Sequence, residues 1–238
     1  LFSNCIQDSG TTMLKPLALN TSLFSLSLKS NYFTGKGIES ICEMLSVNTN
    51  LCRLNISSNH LGLQGAGAVG QFLVTNSSLG GLDIGCCKVG EAEMELLVPG
   101  LLVHERLSEL ILTSNPIDMG MLHLAQWIST APHLTILNLT CCQLSHLAME
   151  CLWASLQTAT ALTSLTLDKN GVTSSMAGII PFLSENASLT HLSLGMCGLG
   201  DDSVAHIGTA LMTNTTLTSL SIPQNELTSQ PWTGPLGN

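Results

Sequence analysis

The stretch that decides the fold is Leu162-Thr163-Ser164-Leu165-Thr166-Leu167-Asp168-Lys169-Asn170-Gly171-Val172. Its leucines alternate with polar residues, which is typical of a short, half-buried β-strand. Asn170 follows where the chain must leave the strand, and an Asn side chain can satisfy the free backbone groups of such a turn. The stretch therefore predicts a strand that ends in a turn held by an asparagine.

The same pattern recurs along the whole chain. We number positions from the leucine that opens each strand, and every such leucine is followed by Leu at +3 and by Leu or Ile at +5. The opening leucines are Leu23, Leu51, Leu79, Leu107, Leu134, Leu162, Leu189 and Leu217. Both this motif and the regular interval between its copies resemble those of the leucine-rich repeat.

The second half of each unit is predicted to be a helix. Apolar residues four apart, such as Val69 with Leu73 and Leu152 with Leu156, place one apolar stripe against the back of the sheet. Pro99 and Pro181 fall inside two of these helices and are expected to shorten or kink them. A unit of one strand and one helix that repeats along the chain predicts a solenoid, in which the units stack and the stack curves.

The +8 position carries a second signal. From Asn59 onward it alternates strictly between asparagine and cysteine: Asn59, Cys87, Asn115, Cys142, Asn170, Cys197 and Asn225. In this the chain resembles the ribonuclease-inhibitor-like class of leucine-rich repeats, whose paired units of about 56 residues alternate in the same way. That class also supplies the C-terminal sensor region of NOD-like receptors, and it includes many axonemal and regulatory scaffold proteins.

We therefore expect an α/β leucine-rich repeat solenoid, a horseshoe arc with a concave parallel β-sheet and convex helices. It should hold about eight repeats, each of roughly 27 to 28 residues. We expect residues 1–228 to form the repeat domain, with residues 1–22 as a partial first repeat. Residues 229–238 break the pattern and are expected to be a non-repeat tail or cap.

Composition restricts the class of partner and the compartment. Hydrophobic residues make up 45% of the 238 residues and charged residues 10%, with a net charge of −9. The few Lys and Arg are scattered, which argues against nucleic-acid binding, and no apolar run is long enough for membrane insertion. Nine cysteines without a CxxC spacing suit buried thiols in a reducing compartment, so we expect a cytoplasmic protein.

No catalytic or metal-binding motif is found. The seven histidines lie in seven different repeat contexts, and no HExxH, GxSxG or phosphate-binding loop occurs. Cys87, Cys142 and Cys197 are two repeats apart each time. Two strand spacings, about 10 Å, are too wide for shared zinc ligation or a disulfide. The sequence therefore predicts a protein without enzymatic activity and without a cofactor.

Binding is expected on the concave face, at positions +2, +4 and +6. A basic corner of Lys29 and Arg53 precedes an acidic centre of Asp83 and Glu109, which adjoins an apolar spot of Ile111 and Ile136. The candidate protein-interaction residues are Lys29, Arg53, Asn55, Asp83, Glu109, Ile111, Ile136, Asn138, Asp168 and His191. Such a face would complement a protein segment that is basic and partly apolar.

Two functions remain open for this non-catalytic interaction module. The resemblance implies the sensor or autoinhibitory repeat region of a NOD-like receptor, a regulatory protein of innate immunity. The alternative is a scaffold subunit of a larger assembly, such as a cytoskeletal or axonemal complex. An aromatic-poor concave face suits the alternative, because contacts would then be spread over edges and outer helices.

Overall fold

In the computed structural model, residues 1–172 and 176–228 are described. Within them, eight short parallel strands form a single open sheet in the order of the sequence. The strands are β1 (Ser25–Ser27), β2 (Arg53–Asn55), β3 (Gly81–Asp83), β4 (Glu109–Ile111), β5 (Ile136–Asn138), β6 (Ser164–Thr166), β7 (His191–Ser193) and β8 (Ser219–Ser221). The predicted leucine-rich repeat solenoid is confirmed. The residues predicted to form the tail or cap, 229–238, lie outside the described residues.

A helix follows each of the first seven strands on the other side of the sheet. The helices are α1 (Gly35–Leu45), α2 (Gly62–Thr75), α3 (Glu91–Val103), α4 (Met121–Ile128), α5 (His146–Leu156), α6 (Met176–Glu185) and α7 (Asp201–Leu211). A 3-10 helix, Asp8–Leu19, packs beside α1, and a 3-10 turn, Asp118–Gly120, leads into α4.

The core lies between the sheet and the helices. The apolar residues at +3 and +5 alternate with polar residues, so they point into this core, and the leucine that precedes each strand packs against it. Val69, Leu73, Leu152 and Leu156 are all buried, as their spacing predicts. One continuous apolar layer therefore runs through all the repeats.

The two prolines were expected to shorten or kink their helices, and the shortening is wrong because neither proline ends its helix. Helix α3 runs for 13 residues through Pro99, and α6 continues through Pro181 to Glu185. Both prolines are exposed. On that side of a helix, water can bind the carbonyl group that loses its N–H donor, so the helix continues.

The strands keep the same register from repeat to repeat. At position +2, Arg53, Gly81, Glu109 and Ile136 stand side by side on four successive strands. The amide at +5 donates to the +4 carbonyl of the next strand, as Leu28 does to Asn55 at 2.7 Å. Positions that are a whole repeat apart in sequence are thus neighbours on the concave face.

The +8 side chains form a ladder along one edge of the sheet. The Nδ2 group of Asn115 donates to the carbonyl oxygen of Ile84 in the preceding repeat at 2.8 Å. In the next repeat the Sγ of Cys142 takes this place, 3.3 Å from the carbonyl oxygen of Leu112. Asparagine and cysteine therefore donate to the same carbonyl position of the preceding repeat, the thiol more weakly, which gives the alternation a structural role.

Candidate functional site

The concave face is formed by the side chains at +2 and +4 of each strand and by the residue at +6, just beyond the strand. Because the leucines at +3 and +5 enter the core, these residues must point to the opposite side of the sheet. In β2 to β5 they include the charged and apolar residues that the sequence singles out. The geometry of these four strands defines the candidate site.

Arg53 and Glu109 form an ion pair across the intervening strand. The Nε of Arg53 lies 3.5 Å from Oε2 of Glu109, although the two residues belong to β2 and β4. Gly81 stands between them in register and has no side chain to separate them. The basic corner and the acidic centre predicted from the sequence are therefore joined at this point.

Asp83 is held beside this pair by hydrogen bonds. Its Oδ2 accepts from Nδ2 of Asn55 at 2.6 Å, and its Oδ1 accepts from the backbone amide of Gly85 at 2.9 Å. Partial burial raises the pKa of the Asp83 carboxyl, and this effect outweighs the opposing hydrogen bond from Gly85 and the positive charge of Lys29. The carboxyl group is fixed in position and partly removed from water.

An apolar surface adjoins the charged residues. Ile111 is half-buried in β4, and the side chain of Ile136 in β5 is 37% exposed. The register places Ile136 next to Glu109 and Asn138 next to Ile111. Arg53, Asn55, Asp83, Glu109 and Ile111 line one shallow cavity of about 230 Å³. We call these five residues the concave cluster.

Five of the ten predicted site residues lie outside the cavity, namely Ile136 and Asn138 on β5 together with Lys29, Asp168 and His191. Lys29 is exposed just beyond β1, close enough to act on Asp83 by its charge. Asp168 follows β6 and accepts hydrogen bonds from the Ser193 hydroxyl and the Gly195 amide, both at 2.7 Å. His191 is exposed on β7, three strands from β4 and thus about 14 Å away.

Two features of this face were not predicted from the sequence. Gly81 is the residue that lets Arg53 reach Glu109, and its signal was a glycine at +2 between two long charged side chains. Phe2 was missed because it belongs to the partial unit. The Ser3 amide donates a hydrogen bond to the Lys29 carbonyl oxygen, and in the other repeats the residue at +7 makes this bond. Phe2 therefore occupies the +6 position. It is 66% exposed.

The cysteines at +8 have backbone partners. Cys87, Cys142 and Cys197 are buried, and their thiols lie 3.3 to 3.4 Å from carbonyl oxygens of the preceding repeat. Burial raises the pKa of Cys87 and of Cys142 to about 12, and that of Cys197 to about 11. In residues 1–172 and 176–228, no group of three His, Cys, Asp or Glu side chains is placed to hold a metal ion.

Comparisons with known proteins agree with this architecture. A family model described as Leucine Rich repeat matches residues 19–42, 47–70, 130–152 and 185–208. Among solved structures, 84 chains match. One is the crystal structure of the leucine-rich repeat-containing protein LegL7 from Legionella pneumophila, with a TM-score of 0.52 and 16% identity. That match covers 93% of this chain and 81% of the other. The search of curated proteins gave no match.

The chain thus carries leucine-rich repeats, and their fold is the one that leucine-rich repeat proteins typically use to bind other proteins. In the part of the chain that the structure describes, no helix combines the length and the apolar character needed to cross a membrane.

Proposed function

We propose that this protein is a non-catalytic interaction module whose concave cluster binds a basic and partly apolar segment of another protein. The observation that carries this proposal is the Arg53–Glu109 ion pair, which lies over Gly81 beside exposed Ile136. The Arg53 side chain is 62% exposed and that of Glu109 is 24% exposed. An ion pair that water reaches in this way contributes little to folding, typically under about 1 kcal/mol. A partner can therefore replace one member of the pair at small cost.

The cluster offers complementary contacts to such a segment. A partner Lys or Arg that takes the place of Arg53 at Glu109 would also approach the fixed carboxylate of Asp83. The displaced guanidinium is then free to bind a carboxylate of the same partner. An apolar side chain next to the basic residue would cover Ile111 and Ile136.

We further propose that the module acts in the cytoplasm as the sensor or autoinhibitory repeat region of a NOD-like receptor-type protein. The alternation of asparagine and cysteine at +8 supports this, because it resembles the ribonuclease-inhibitor-like class. In the alternative, the module is a scaffold subunit of a cytoskeletal or axonemal assembly. That alternative is supported by β2 to β5, whose concave residues include no aromatic side chain.

The test is affinity capture from cell extract with three variants, read by quantitative mass spectrometry. Glu109→Lys reverses the half-buried charge of the ion pair, Asp83→Asn keeps the shape but removes the charge, and His191→Gln is the control on the same face. We expect one specific partner to be retained by the control and reduced at least tenfold by Glu109→Lys. Equal recovery by all variants would contradict binding at the concave cluster.

The identity of the captured protein then separates the two versions. A nucleotide-binding regulatory domain, in the same polypeptide or in a partner, would favour the sensor. Cytoskeletal or axonemal subunits recovered in fixed stoichiometry would favour the scaffold. Circular dichroism of each variant, compared with the unmodified chain, separates lost binding from lost folding.

A further inference from the structure

A second depression lies on the opposite, convex face of the molecule. It has a volume of about 560 Å³, and its residues come from α1, α2 and α3. Helix α2 forms the floor, and residues of α1 and α3 form the two walls. This depression is separate from the concave cluster and shares no residue with it.

The depression exists because α2 has small residues where its neighbours have long ones. At the +16 position α1 carries Glu39 and α3 carries Glu95, whereas α2 carries Gly67. A Cβ atom added to Gly67 would meet nothing within 4 Å. The next residue, Ala68, also lines the depression. The outer surface of α2 is therefore lower than the helices on both sides.

Glycines on the flanks of α2 bring those neighbouring helices close. A Cβ atom on Gly65 would lie 3.2 Å from the Cα of Gly35 in α1. On the other side, a Cβ atom on Gly100 of α3 would overlap the carbonyl oxygen of Gly70. Both walls therefore lie close against α2 and bound the depression on its two sides.

The lining is apolar at the centre and acidic on one wall. Leu63 is 55% exposed and Leu96 is 40% exposed, so both present apolar surface to water inside the depression. Glu39 and Glu43 project from the α1 wall. Glu39 accepts a hydrogen bond from Gln64 at 2.8 Å. In the described residues, the carboxylate of Glu43 has no hydrogen-bond or ion-pair partner.

We propose that this convex groove is a second docking site, and that its occupant is an amphipathic helix of a partner protein. The helix would present one large apolar side chain to the space above Gly67 and Ala68. A Lys or Arg one turn away on the same face would pair with Glu43. The negative wall and the net charge of −9 favour a cationic helix over an anionic one.

Two variants test the groove without disturbing the core. Gly67→Gln fills the space above α2 with a long side chain, and because Gly67 is exposed to open space the change should also favour the helix. Glu43→Lys reverses the charge of the acidic wall at an exposed position. Glu185→Lys, at the exposed end of α6, is the control with the same change of charge.

The probe is a synthetic 18-residue amphipathic helix of Leu, Ala and Lys, with a second peptide in which every Lys is replaced by Glu. Binding is measured by fluorescence anisotropy, and its location by hydrogen exchange. We expect the Lys peptide to slow exchange in residues 35–46 and 62–75. Its affinity should fall at least tenfold in both groove variants and by less than twofold in the control.

The proposal fails if the Lys peptide does not bind, if the Glu peptide binds equally well, or if both groove variants bind as tightly as the control. Protection on β2 to β4 in place of the helices would also overturn it. Since the groove variants leave Arg53, Asp83 and Glu109 unchanged, failure here is distinguishable from failure of the concave site.

Discussion

At the scale of single residues, the asparagines and the cysteines at +8 differ as hydrogen-bond acceptors. The Oδ1 of Asn115 accepts hydrogen bonds from the amides of Cys87 and Val89, at 2.9 and 3.0 Å. Asn170 does the same for Cys142 and Leu144. A thiol sulfur is a weak acceptor, so a cysteine cannot hold two amides with comparable strength.

We therefore predict that Asn115→Ala destabilises the fold more than Cys142→Ala. The first change leaves two buried amides without an acceptor and should lower the free energy of unfolding by about 3 kcal/mol or more. The second removes one weak donor and a small buried group, which should cost about 1 kcal/mol. Urea titration measures both losses. Amide exchange at Cys87 and Val89 should rise only in Asn115→Ala, and equal losses would contradict the assignment.

His104 is another residue-scale departure from the repeat. Where Asn76 accepts from the amides of Ser78 and Leu79 with its Oδ1, His104 accepts from the amides of Arg106 and Leu107 with its Nδ1. Its buried Nε2 has no hydrogen-bond partner among the described residues. Burial is the main cause that lowers the pKa of His104, since the charged ring is disfavoured inside the protein.

Stability should consequently fall as the pH drops below about 6.5, the pKa of an unfolded histidine. The unfolded chain takes up a proton there before the folded chain does, so protonation favours unfolding. We predict that His104→Asn raises the melting temperature and weakens this pH dependence. An unchanged pH profile in His104→Asn would contradict the assignment, and His133→Asn, at an exposed position, is the control.

At the scale of elements, the contact between α2 and α3 depends on two glycines that face each other. We predict that Gly100→Ala lowers the free energy of unfolding by about 2 kcal/mol, because its methyl group would overlap the Gly70 carbonyl. Gly67→Ala, where the space is open, should raise it by about 0.5–1 kcal/mol. Chemical denaturation of the two variants measures both changes in the free energy of unfolding. A gain in both would show that the helices can separate freely.

The strands and helices could be predicted from the sequence more fully than the contacts between side chains. The repeat period and the burial of the leucines follow directly from spacing, because each repeat must cover the one before it. The Arg53–Glu109 pair did not follow, since its partners are two repeats apart in the sequence and meet only because Gly81 has no side chain. The convex groove was missed because Gly67 reads as a turn residue until the orientation of α2 is known.

At the scale of the whole molecule, the cysteines report on the integrity of the stack. We predict that iodoacetamide at pH 8 modifies exposed Cys5 and Cys86 in the folded protein. Cys87 and Cys142 should resist, because burial blocks access and a pKa of about 12 reduces the thiolate about a thousandfold. Peptide mass spectrometry at increasing urea concentration would follow each site. Rapid labelling of Cys142 in the native protein would contradict the burial of the +8 thiols.

The unequal bonding at +8 has a mechanical consequence. At the junction between two repeats, the +8 side chain of the second repeat bonds to the backbone of the first. An asparagine there uses both the oxygen and the nitrogen of its amide, whereas a cysteine uses only its sulfur. Under a stretching force applied at its two ends, the solenoid should yield first at the sulfur junctions and release two repeats at a time. From Leu79 to Leu134 such a step spans two repeats, or roughly 190 Å of extended chain.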